Sequence, residues 1–188
     1  LESDDYEADD IIGTLSCMAP KEGWNARIVS GDKDLLQLIN ENSEMLLVRK
    51  GMTDLEVMNI PAFEEAYGIS PDVFVEAKAL MGDASDNIPG VPGIGEKTAL
   101  KLIKEYGSLE GVYQNIEQIS GKKLKENLIE YRAQADLSLE LSRIFCTMPL
   151  DTRFEEHLLS PDWPKIQNFF EKFGFKSLLK RVPVGAVG

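Results

Sequence analysis

Histidine is almost missing from these 188 residues: His157 is the only one. A Ser-His-Asp or Cys-His centre would have to be built around it. It lies in a charged, turn-like stretch, Arg153 to Leu158, where an exposed side chain is expected. Cysteine is nearly as scarce. Cys17 and Cys146 are far apart in the chain and sit in apolar helical patterns, which reads as two reduced core thiols of a cytoplasmic protein. No apolar run approaches the roughly 20 residues that cross a bilayer, and no signal peptide is visible, so no membrane partner is expected. An initiator Met is also lacking, and Leu1-Glu2-Ser3-Asp4-Asp5 reads as an internal cut in a longer protein.

Basic residues are few in the first half. The net charge of −12 argues at first sight against a nucleic-acid partner. Residues 1–90, however, carry 6 Lys+Arg against 19 Asp+Glu, a balance of −13, whereas residues 91–188 carry 14 against 13, a balance of +1. A solvated acidic surface would explain this. So would a carboxylate cluster that needs divalent cations, joined to a module that holds an anionic substrate. Composition does not choose between them.

Periodicity predicts a helix over Tyr6–Met18, a strand over Ala26–Ser30, a helical turn over Leu35–Ile39 and a buried strand over Glu44–Arg49 with a turn at Lys50-Gly51. Strands separated by a helix suggest an open α/β sheet. From Pro61 the signals are helical: Pro61–Tyr67 and Pro71–Met81 each open with proline, which suits a first helical position. Gly82, Pro89, Gly90, Pro92, Gly93 and Gly95 crowd a loop of 14 residues. Helices are expected next at 96–106, 109–118, 121–146 with a break near Ala135, and 162–180, before a disordered tail over 184–188. The expected division is 1–70 for an α/β metal-binding core, 71–181 for a helical subdomain and 182–188 for the tail.

Three acidic motifs and one turn carry chemistry. Glu7-Ala8-Asp9-Asp10 opens the first helix. Successive helical residues turn by about 100°, so Glu7 and Asp9 can reach one ion only if Glu7 lies at or before the N-cap. Taken alone, acids at a helix start are more often caps than ligands. Asp32 and Asp34 follow the first strand, at the carboxyl end where open α/β sheets bind ligands; a solvated turn is the competing reading. Asp83 and Asp86 close a helix, where the dipole is already negative and carboxylates are out of place. Such groups, without neighbouring histidine or cysteine, suit Mg²⁺ or Mn²⁺ and not zinc. The turn runs from Gly90 to Ala99. Gly90, Gly93 and Gly95 let backbone N–H groups approach a phosphate, the next helix presents free donors, and Lys97, Thr98 and Lys101 add charge and a hydroxyl. This is not a Walker loop, because Glu96 adds a residue before the lysine. A plain glycine-rich connector is the alternative.

Tyr-Glu-Ala-Asp-Asp-Ile-Ile (6–12), Gly-Asp-Lys-Asp-Leu-Leu-Gln-Leu (31–38) and Gly-Asp-Ala-Ser-Asp-Asn-Ile-Pro-Gly-Val-Pro-Gly-Ile-Gly-Glu-Lys-Thr-Ala (82–99), in that order, resemble the 5′ nuclease (flap endonuclease) family, in the form attached to bacterial DNA polymerase I. The resemblance covers residues 6–181. It implies a PIN/resolvase-like α/β sheet, here truncated, followed by an all-helical helix-hairpin-helix (H2TH) subdomain. It implies two-metal phosphodiester hydrolysis, with Glu7, Asp9 and Asp10 at one metal and Asp32, Asp34, Asp83 and Asp86 at the other. It also implies K⁺ at the turn, and as partner DNA with 5′ ends or flaps, including an RNA primer in a hybrid. Okazaki primer removal at the bacterial nucleoid, fusion to polymerase domains and a monomeric state are the remaining implications. The family's first strand with its metal-binding aspartate, a second aspartate and a basic arch have no counterpart in residues 1–188, so little or no activity is expected of the chain as given. The alternatives are a sequence-independent DNA-binding module with structural cations, and an RNA-cleaving relative.

Overall fold

The computed structural model describes residues 1–50 and 54–183. Gly51 of the expected turn and the expected tail at 184–188 lie outside them. Two compact units are present, residues 1–150 and 151–188.

In the first unit, Ser43, Met45 and Leu47 of β2 (Ser43–Lys50) face the core in strict alternation. That strand is central: β1 (Ala26–Ser30) pairs with it in parallel, with Val29 beside Leu46, and β3 (Asp54–Met58) pairs antiparallel, with Met45 beside Met58. β3 is a strand that periodicity did not reveal. Only its Met58 is buried, while Leu55 and Val57 are exposed, so its apolar signal is too short to read and its identity comes from pairing with β2.

The helices are α1 (Ala8–Met18), α2 (Ile60–Tyr67), α3 (Phe74–Met81), α4 (Glu96–Tyr106), α5 (Leu109–Gln114), α6 (Lys122–Glu130) and α7 (Arg132–Ser142), with a 3₁₀ turn at Lys33–Leu38. Asn59 caps α2 by accepting from the Ala62 N–H at 3.1 Å, and Gly68, at φ +71°, ends it. α3 lies under α4 and α7 with Ala77, Ala79 and Leu80 fully buried, and Phe63, Tyr67 and Phe74 pack ring on ring at 4.6–5.2 Å. One core therefore joins the sheet to the helices up to α7. Truncating Phe63 to Ala would cost about 3–5 kcal/mol.

The helix expected over 121–146 differs in two places. It breaks at Tyr131 rather than near Ala135, and it stops at Ser142, after which the chain is extended. Tertiary hydrogen bonds replace helical ones there: Ile144 N–H donates to Gln37 Oε1 (3.1 Å), Phe145 N–H to Asp10 Oδ1 (2.8 Å) and Met148 N–H to Thr14 Oγ1 (3.3 Å). This segment also corrects the cysteine expectation. Both thiols are free, but Cys17 is exposed rather than in the core, and Cys146 is half-buried beside it. Burial first, then the hydrogen bond with Cys17, pushes the Cys146 thiol up to about 12.

The second unit holds a 3₁₀ turn at Phe154–His157 and helices α8 (Trp163–Lys172) and α9 (Lys176–Leu179), separated at Gly174 (φ +68°). Asp162 caps α8 through the Lys165 N–H at 3.0 Å, and the rings of Phe169, Phe173 and Phe175 cluster within 6.2 Å. His157 is exposed and shares a 2.6 Å hydrogen bond with Thr152, as a lone surface histidine should.

Candidate metal centre

Glu7 takes an extended conformation at the N-cap of α1, the condition under which it and Asp9 can serve one ion. Asp10 turns back, accepting from the Glu7 N–H through Oδ2 (3.3 Å) and from the Phe145 N–H through Oδ1 (2.8 Å). Capping and ligation are thus not exclusive for Asp10, since each oxygen keeps a second lone pair. Asp32 sits beyond the carboxyl end of β1, and its Oδ1 accepts from the Asp34 N–H at 2.9 Å, which turns the chain and aims Asp34 inward. Glu7, Asp9, Asp10, Asp32, Asp34 and Asp86 line one cleft, closed on the far side by Ile88 and Leu141–Ile144.

Oxygens of Asp34, Asp83 and Asp86 lie within 4.8 Å of one another. The loop after α3 makes this possible. Asp83 and Ile88 exchange backbone hydrogen bonds of 2.8 Å each way, Asn87 adopts φ +56°, and Ser85 donates from its N–H to Asp83 Oδ1 at 2.9 Å. Gly82 and Gly90 are needed where the two ends of this loop cross. A Cβ on Gly90 would stand 2.3 Å from the Gly82 nitrogen, and one on Gly82 2.6 Å from the Ile88 oxygen.

Lys78 was missed by motif reading, because a lysine in an apolar helix looks like a surface residue. It is in fact 3% exposed, and its ammonium bonds both Asp34 and Asp83, the latter at 3.1 Å. Burial works against its charge, but the bonds to Asp34 and Asp83 outweigh that and hold it above the ordinary lysine range. The carboxylates respond differently. Burial raises Asp34 despite Lys78, with Asp32 and Asp83 adding repulsion. Asp83, half-buried, is brought down to about 2, chiefly by the Ser85 hydroxyl, with Lys78 helping against the opposing effect of burial. Burial also raises Asp9, followed by the charges of Asp32 and Asp34, so the acids on α1 share an electrostatic field with those beyond β1. Crowded carboxylate oxygens with no histidine or cysteine among them fit a hard divalent cation.

The glycine-rich turn belongs to the same loop. Gly93 (φ +81°), Gly95, Lys97 and Lys101 are exposed, Thr98 is half-buried with its N–H bonded to the Gly95 carbonyl (3.0 Å), and Gly95 is the N-cap of α4. Asn127 supports the turn by donating to the Pro92 carbonyl at 2.7 Å. Gly90 plays a different part from the one expected. It is buried, its N–H donates to Ser138 Oγ (3.1 Å) and its carbonyl accepts from Gln134, so it anchors the turn and has no donor left for a phosphate.

Carboxylates gathered beyond the carboxyl end of β1, followed by helices that present a glycine-rich turn, make an all-oxygen site of a kind that could hold a hard divalent cation. Comparison with known proteins gives the family. Residues 1–68 match the N-terminal resolvase-like domain of 5′-3′ exonucleases, and residues 69–164 match their C-terminal SAM-fold domain. The chain belongs to the 5′-3′ exonuclease family. It is similar to DNA polymerase I of Bacillus subtilis (43% identical over 182 residues, 96% of this chain and 21% of that protein). It is also similar to DNA polymerase I of Geobacillus stearothermophilus (45% over 184 residues, 97% and 21%). The chain therefore spans about a fifth of the length of these relatives. Among solved structures it resembles bacteriophage T5 5′-exonuclease with bound zinc (26% identity, TM-score 0.63, 74% of this chain and 51% of that one). A T5 flap endonuclease complex with DNA and metal ions is comparably similar (25%, 0.64, 74% and 50%). No helix among the described residues is long and apolar enough to cross a membrane.

Proposed function

We propose that this chain contributes the metal centre and the DNA-holding turn of a 5′-3′ exonuclease and flap endonuclease that hydrolyses DNA phosphodiesters, as part of a DNA polymerase I in the bacterial cytoplasm. The observation that carries the reading is the convergence of Asp34, Asp83 and Asp86 within 4.8 Å, on a loop that continues directly into the exposed turn of Gly93 and Gly95. Asp32, Asp34, Asp83 and Asp86 would hold one Mg²⁺ or Mn²⁺, and Glu7, Asp9 and Asp10 would contribute to a second. Such ions, when bound, supply charge stabilisation for the phosphate and its leaving oxygen. Lys78 takes Asp34 Oδ1 and leaves Asp34 Oδ2 for an ion, while Asp83, held by Lys78 and Ser85 at both oxygens, would ligate through remaining lone pairs; Asp10 ties the cleft wall at Phe145 to α1.

The boundary near residue 70 would set Glu7, Asp9, Asp10, Asp32 and Asp34 on one side and the DNA-holding turn on the other, with Asp83 and Asp86 completing the metal site from beyond it. Gly93, Gly95, Lys97, Thr98 and Lys101 would meet one or two phosphates of the duplex without reading bases, and turn carbonyls would hold a K⁺ ion that bridges to one of them. RNA primers in hybrid form and a monomeric state belong to the same reading.

The test is cleavage of an end-labelled 5′-flap duplex by this chain and by a DNA polymerase I that carries it. The polymerase should cleave near the junction with Mg²⁺ or Mn²⁺ and lose this with Asp34→Asn plus Asp83→Asn, while the 188-residue chain alone should cleave little. Cleavage that survives both substitutions would refute the metal assignment. DNA affinity without cleavage in either protein would favour the binding module.

A further inference from the structure

Resting on the nuclease reading, we infer that Arg143 forms a phosphate-gripping subsite on the wall of the metal cleft. Among the described residues Arg143 is the one base lining a cleft that six carboxylates also line. It would be expected to pair with one of them. Among the described residues it instead makes no ion pair and no side-chain hydrogen bond, so all five guanidinium N–H donors are unspent. Ser142, on the buried face of α7, holds the chain on which the exposed Arg143 side chain stands.

The backbone under these two residues is fixed from both sides. Gln37 donates to the Ser142 carbonyl at 3.0 Å and accepts from the Ile144 N–H at 3.1 Å, and Asp10 accepts from the Phe145 N–H at 2.8 Å. Gln37 lies three residues after Asp34, so the elements that place the metal-binding acids also place Arg143. An anion beside those acids is repelled until cations neutralise them; once they do, a planar guanidinium can take two phosphate oxygens at once. The DNA phosphate next to the one held at the metal centre has this chemistry. The turn at Gly93–Lys97 has no need of divalent cations to bind the duplex, and this difference separates the two contacts.

The experiment measures affinity of the chain for a 5′-flap duplex by fluorescence anisotropy, with EDTA and with Ca²⁺, which carboxylate oxygens hold as they hold Mg²⁺. Wild-type affinity should rise with Ca²⁺. Arg143→Ala should weaken binding about tenfold in Ca²⁺, lower the salt slope by roughly one phosphate contact, and change little in EDTA. Arg143→Lys should recover part of the loss, and Lys97→Ala should weaken binding equally in both conditions. Replacing junction phosphates singly with neutral methylphosphonates should find one position at which Arg143→Ala costs nothing further. Equal affinity of Arg143→Ala and wild type in Ca²⁺, or a loss that is the same in EDTA, overturns the proposal while leaving the nuclease reading intact. A wild type whose affinity ignores Ca²⁺ overturns both.

Discussion

Replacing Lys78 with methionine keeps the volume and apolar packing of the α3 side chain and removes its charge. Asp34 and Asp83 would then face each other without the ammonium that now bonds both. Removing one partner of a buried ion pair costs about 3–5 kcal/mol when the remaining charge stays dry. Here the Asp34 and Asp83 side chains keep 18% and 24% exposure, so water recovers part of the loss and roughly 2–3 kcal/mol is expected to remain. At about 2–4 °C per kcal/mol for a chain of this size, Tm should fall by roughly 5–10 °C in EDTA. A divalent cation can then take the place of the lost charge. Since binding to the folded state alone adds about 2.7 kcal/mol at a hundredfold excess over Kd, saturating Mn²⁺ should restore most of the deficit. The Mn²⁺-induced rise should be larger in Lys78→Met than in the wild type, because no fixed cation repels the ion. Differential scanning fluorimetry across a Mn²⁺ series decides the matter. A Tm within about 1 °C of wild type in EDTA, or identical Mn²⁺ shifts in both proteins, would refute the reasoning.

Asp83→Asn should shrink the wild-type Mn²⁺ shift in Tm, and an unchanged shift would remove Asp83 from the ligand set. Stability without metal should respond to acid with two signs. Asp9 and Asp34 are raised, so stability should increase as pH falls from neutral towards their ordinary value of 3.8; Asp83 is lowered to about 2, so its contribution should be lost as pH falls from 3.8 through 2. Chemical denaturation across pH tests this, and a monotonic fall in stability from pH 7 downward would contradict the crowding of the cleft. Gly93→Val should harm duplex binding more than Lys97→Ala, because it blocks close approach at φ +81° and presses on Asn127 at 3.4 Å; circular dichroism controls for folding, and two unaffected variants would reduce the turn to a connector. Gly82→Ala should destabilise the fold by several kcal/mol, since its Cβ meets backbone atoms 2.6–2.8 Å away, and an unchanged Tm would contradict that crossing.

Local rules in the sequence determined a good deal. β1 at Ala26–Ser30 and α4 at Glu96–Tyr106 follow from apolar runs bounded by glycine, and the acids sit at element ends where carboxylates need a reason to be. Motif order carried the family, because those residues are fixed by chemistry and not by packing. What the sequence did not contain was long-range pairing. β3 became a strand through hydrogen bonds to β2, and the end of α7 was set by acceptors on Gln37 and Asp10, more than 100 residues earlier. Cys17 and Cys146, distant in the chain, are neighbours because that same segment folds back on α1. Lys78 and Arg143 differ in what surrounds them: burial between two aspartates makes one an internal cation, and an exposed rim with no partner among the described residues leaves the donors of the other unspent. Burial and pairing are properties of the assembled chain, since desolvation and Coulomb energy depend on neighbours that only the tertiary structure supplies.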